Sequence, residues 1–149
     1  MNSNTSIGPK GLGGWLILMI LNQVRAFYDA GQTIFVDVRL LNRLPQGKGM
    51  NLAYAELLLV SAVLVLIVWA TIALFRTKRN FPNLWKAMAV ASILFAIVDT
   101  AMISLVLGAP IERVMDAEGT VQFVGLLIAT CIWWLYLDKS VRVKNTFIN

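Results

Sequence analysis

Four long apolar stretches occupy most of this chain, and they leave few folds open to it. Gly11 to Val24 is free of charge up to Arg25, Leu57 to Phe75 carries none, Ala87 to Ile111 is interrupted only by Asp99, and Gly119 to Leu137 carries none. A helix needs roughly 20 such residues to cross a ~30 Å hydrocarbon layer. Lipid offers the backbone no hydrogen-bond partner, so each stretch must satisfy its own amides as a helix. With 58% hydrophobic residues and a mean hydropathy of +0.72, the 149 residues are too apolar for a soluble domain of this size. The expectation is one all-α integral membrane domain over residues 1–149, with four transmembrane helices in an antiparallel bundle. The spans fall at about 12–28, 52–75, 84–107 and 120–137. The first is the shortest, and a signal-peptide core flanked by Lys10 is the competing reading. Asn22, Gln23 and Arg25 follow it directly and no cleavage site is evident, which favours a retained helix.

The net charge of +5 follows the membrane rather than a nucleic acid. Lys10 precedes the first span, Arg76, Lys78, Arg79 and Lys86 bracket the second connection, and Lys139, Arg142 and Lys144 follow the last span. Arg39, Arg43, Lys48 and Arg113 fall on the other side. The positive-inside bias therefore predicts cytoplasmic N- and C-termini in a multi-pass protein of a bacterial cytoplasmic (inner) membrane. Met1 to Pro9 reads as a short polar tail. In the first outer loop, Ile34 to Leu44 has an apolar face of Ile34, Val38 and Leu41 and a polar one of Arg39, Asn42 and Arg43, which suits a short interfacial helix. A strand or irregular loop is the alternative, given the β-branched residues between Thr33 and Val38. Trp15, Phe81, Trp85, Trp133, Trp134 and Tyr136 group near one boundary, as interfacial anchors do.

Asp99 marks where function should be sought. A carboxylate at the bilayer centre costs on the order of 2.5 to 3.5 kcal/mol on insertion scales, so it should face protein, water or a counter-charge. Helix rise puts Arg25, Asp99 and Gln122 at one depth, with Glu56 higher, near the outer rim. Ala89, Ser92, Ala96 and Asp99 form a stripe of small residues on span three, and Gly14, Leu18, Asn22, Arg25 and Asp29 share a face of span one. The expectation is that these faces meet, Arg25 pairing Asp99 with Gln122 close by. Such a cluster of Asn22, Arg25, Glu56, Asp99 and Gln122 has three readings. It is an ion pair that fixes helix register, with Arg25 also able to bond Asp29; a cavity for an anionic or amphipathic ligand or a partner helix; or a proton or cation relay.

Nothing in the chain specifies a reaction. It has no histidine, so histidine-based triads and the usual Cys/His zinc sites are excluded. No metal site or cofactor is expected. Cys131, the single cysteine, reads as a small packing residue. Helices broken by proline or glycine at mid-span, the better signature of transport, are missing.

Gly11-Leu12-Gly13-Gly14-Trp15-Leu16 at the start of span one, Phe81-Pro82 in the inner connection, and Ser140-Val141-Arg142-Val143-Lys144-Asn145-Thr146-Phe147 at the end together resemble the bacterial inner-membrane family known as domain of unknown function 2569. Ile132-Trp133-Trp134-Leu135-Tyr136-Leu137 lacks the proline that many members carry before that tail. The resemblance implies a four-span inner-membrane protein without an established activity. Arg142 and Lys144 beneath the membrane suit anionic lipid headgroups, and Phe147 suits a return into the interface. The chain is thus expected to be a non-enzymatic accessory or binding component of the cell envelope, with membrane lipids and another membrane protein as partners. The alternative is a small-solute or proton-coupled transporter using Asp99 and Glu56.

Overall fold

The structure is a computed structural model that describes residues 11–43 and 45–148; the polar tail, Lys10 and Leu44 lie outside the described residues. Six helices follow one another: α1 Trp15–Leu41, α2 Lys48–Phe75, α3 Phe81–Leu107, α4 Ile111–Val114, α5 Ala117–Lys139 and α6 Val141–Thr146, with no strand among the described residues. Three of them are long and apolar enough to cross a membrane: α2, residues 81–106 of α3, and α5. The length of α1 matches theirs, but Asn22, Gln23, Arg25 and Asp29 in its middle keep it out of that set.

Local chemistry sets the helix ends. Gly14, at φ +60°, turns the chain into α1 through a conformation that costs a side-chain-bearing residue about 1–2 kcal/mol. Pro82 sits in the first turn of α3, where its missing N–H is no loss. Asp116 caps α5 by accepting from the Gly119 amide at 2.8 Å, and Ser140 caps α6 by accepting from Val143 N at 3.4 Å. Between α2 and α3 the turn is closed by Lys78 N to Ala73 O at 2.9 Å and Thr77 N to Leu74 O at 3.1 Å. This is a Schellman closure with Thr77, at φ +48°, in the left-handed position usually given to glycine.

Packing follows a seven-residue repeat. Leu16, Gln23, Ala30 and Asp37 are buried on α1, and Ala53, Val60, Ile67 and Leu74 on α2. Seven-residue spacing keeps one seam facing a neighbour. The core continues through Phe81, Trp85, Met88 and Ala89 of α3. α2 is the central helix, packed along α1 on one side and α3 on the other, while α5 meets α3 over a shorter stretch.

Three expectations change here. Ile34 to Leu41 is not a separate interfacial helix: it continues α1 without a break, because Ala30 and Asp37 extend the buried seam that Leu16 and Gln23 begin. Trp85, expected at the boundary as an anchor, is buried in the core. Cys131 is likewise no packing residue; it is exposed on α5.

Candidate functional site

Intramembrane polar residues gather, but not as the helical faces suggested. Arg25 pairs with Asp29 of its own helix at 3.5 Å, and the two side chains are 81% and 60% exposed. Arg25 does not meet Asp99. Two causes combine: two residues past buried Gln23 a helix has turned about 200°, so Arg25 points off the bundle, and Asp99 lies level with Glu56 and Asp37, about 18 Å further along α1 than Arg25, rather than at its depth. Gln122 donates to Glu118 of its own helix at 3.2 Å, again on an exposed surface. Asn22 is half-buried and joins neither group. The stripe Ala89, Ser92, Ala96 and Asp99 does turn inward, but the carboxyl it brings in meets α2.

There, Asp99 and Asp37 both lie against the carboxyl group of Glu56, so α1, α2 and α3 each contribute one acid to a common cluster. Asp37 is 3% exposed, and its Oδ2 has no hydrogen-bond partner in the protein. Among the described residues no group of three or more His, Cys, Asp or Glu side chains is disposed to hold a metal ion. Sequence reasoning missed Asp37 because it placed that residue in a loop. The spacing of Leu16, Gln23, Ala30 and Asp37 was the available signal.

The opposite end of the molecule, rich in basic residues, is a junction of three distant segments. The Gly11 amide donates to Thr146 Oγ1 at 2.9 Å, and that hydroxyl is 3.4 Å from Gly11 O. Arg142 lies over the glycine turn so closely that a Cβ on Gly13 would come within 3.0 Å of its Nη1. Phe81 and Phe147 stack with centroids 4.6 Å apart, and both are buried. Trp15 meets Trp133 and Tyr136, each at 6.3 Å, and Lys86 donates to Asp138 while lying over the Trp134 ring at 4.9 Å. The expected surface motif is thereby divided. Phe147 is a core residue rather than an interfacial one, because the Phe81 ring offers it a dry partner; Arg142 is half-buried against the glycine turn; Lys144 alone is fully on the surface.

Long apolar helices enclosing a buried polar seam define a small multi-pass membrane protein. The chain belongs to the family described as Protein of unknown function (DUF2569), whose model matches residues 9–148. It is 25% identical to the inner membrane protein YdgK of Escherichia coli (strain K12) over 154 residues, covering 97% of this chain and 99% of that protein. No solved structure matches it. The segments Gly11–Leu16, Phe81–Pro82 and Ser140–Phe147, which carry the resemblance in the sequence, are those that the basic-end junction brings together.

Proposed function

We propose that this chain is a non-enzymatic, four-span antiparallel protein of the bacterial inner membrane, with both termini in the cytoplasm, that serves as an accessory or binding component of a larger membrane assembly. One observation carries this reading: the Arg25–Asp29 pair faces away from the chain's own core. Arg25 is ten residues, about 15 Å, from the start of α1, well inside a helix ~40 Å long. Ionisable groups at such depth are stable against protein or water and costly against lipid. A polar-faced transmembrane helix of another envelope protein is the occupant that suits the pair. A photo-crosslinking residue at Leu18, exposed two turns from Arg25 on the same face, should yield a discrete protein adduct in intact membranes, and Arg25→Leu/Asp29→Leu should abolish it. Lipid adducts alone, with or without the charges, overturn the proposal.

The acid cluster favours a second reading, a proton-coupled transporter in which Glu56 and Asp99 carry the proton and Asp37 assists. On that reading, proteoliposomes holding the wild-type protein dissipate an imposed pH gradient, and Asp99→Asn or Glu56→Gln slows them to the rate of empty vesicles. A wild-type rate equal to that of empty vesicles leaves the accessory role standing.

A further inference from the structure

We infer that the turn between α2 and α3 is a binding site for one anionic phospholipid, held by its phosphate. A cavity of about 390 Å³ opens there, with Arg76, Lys78 and Arg79 on its wall beside Trp69 and Ile72. None of the three cations has an ion-pair partner among the described residues, in contrast to Lys86, which Asp138 engages. No Asp or Glu occurs between Leu57 and Val98, so a partner for these cations has to come from another part of the chain, as Asp138 does for Lys86. Three positive charges around one cavity, none in an ion pair among the described residues, suit an anion from outside the chain.

The turn is also preorganised. The two hydrogen bonds that end α2 fix Arg76 and Lys78 on either side of Thr77, whose left-handed backbone is an outlier for a β-branched residue. Strain of this sort persists only where its surroundings hold it, and it is found at ligand clamps. The rest of the wall identifies the ligand. Trp69 and Ile72 are exposed apolar side chains set one to two turns along α2 from Arg76, about 6–10 Å toward the middle of the helix. A free phosphate has no use for such a wall. A lipid whose phosphate meets the cations lays its glycerol and first acyl carbons along it, as basic pockets at the ends of transmembrane helices do.

The full-length protein in nanodiscs containing equal phosphatidylglycerol and phosphatidylethanolamine, released and read by native mass spectrometry, tests this directly. The wild type should retain one phosphatidylglycerol in preference to phosphatidylethanolamine. Arg76→Gln, Lys78→Gln and Arg79→Gln should each lower that preference by about fivefold, and Trp69→Ala should shorten retention with the charges intact. Lys139→Gln and Lys144→Gln, on the same end of the molecule, should leave it unchanged. The site is overturned if the turn variants match the wild type, or if the Lys139 and Lys144 variants lose as much, which would reduce the effect to net charge. Displacement of the lipid by inorganic phosphate at millimolar concentration, together with an unaffected Trp69→Ala, would make it a phosphate site and overturn the lipid assignment. All the substituted side chains are exposed apart from the turn backbone, so the variants fold.

Discussion

Gln23 sits in the buried seam of α1 at 1% exposure, and neither its amide nitrogen nor its amide oxygen finds a hydrogen-bond partner in the protein. An amide held that way lowers stability by roughly 1–3 kcal/mol relative to an apolar side chain of similar shape. Gln23→Leu is therefore expected to raise the midpoint of thermal unfolding in detergent, followed by circular dichroism. An unchanged or lower midpoint would show that the amide is satisfied in the membrane. Asp37, fourteen residues further along the same seam, differs in kind, because its carboxyl group adjoins Glu56 and belongs to a cluster. Gln23 is the residue whose polarity the packing does not use, and Asp37 the one whose polarity it does. Neither role follows from hydropathy, which scores both as loop-like residues. Both follow from the seven-residue spacing with Leu16 and Ala30, a pattern readable in the sequence once α1 is known to run past Tyr28.

At the level of elements, the long helices α2, α3 and α5 lie on the long apolar runs of the sequence, since runs bounded by Arg76, Pro82, Gly108 and Lys139 have few other places to begin and end. The length of α1 was harder to read. Asp29, Gly31 and Gln32 look like the end of a span, yet the helix continues to Leu41 because burying Ala30, Asp37 and half of Ile34 offsets the local polarity. The facing of side chains was legible only in part: the stripe Ala89, Ser92, Ala96 and Asp99 turns inward as its spacing suggests, whereas Arg25 and Gln122 face outward. Arg25 and Asp99 were expected at one depth, but Asp99 lies level with Asp37, twelve residues or about 18 Å further along α1 than Arg25, and which side of each helix turns inward depends on the partner helix, which hydropathy does not encode. Gly31 gives a direct check on the continuous helix. A Cβ there meets nothing within 4 Å, so Gly31→Ala changes only backbone entropy and is expected to stabilise by about 0.5–1 kcal/mol if the residue is mid-helical. Slower amide hydrogen exchange over residues 30–41 in the variant is the expected readout. A hinge at Gly31 would give no change or a loss.

For the molecule as a whole, the contacts at the basic end bear on how many times the chain crosses the bilayer. Gly11, just before α1, is bonded to Thr146 at the end of α6, the short helix that follows α5, and Trp15 packs on Trp133 and Tyr136. The first helix therefore begins where the last long helix finishes. If α2, α3 and α5 each cross once, α5 ends on the side where α2 ended, so the start of α1 lies on that side too. The loop entering α2 would then lie on the other side, and the four-span proposal accounts for this by having α1 cross as well. Its surface agrees, with Ile17, Leu21, Val24, Phe35 and Val36 exposed on several sides of the rod, as suits lipid better than water. The four-span proposal thus makes a sharp expectation. With Cys131 replaced by Ala, single cysteines at Leu12 and Ile148 should react with a membrane-impermeant maleimide only after the inner membrane is opened, and Gln46→Cys should react in intact spheroplasts. Leu12 and Ile148 reacting from opposite faces would mean that α1 lies along the membrane surface, and would separate the two ends that Gly11 and Thr146 join.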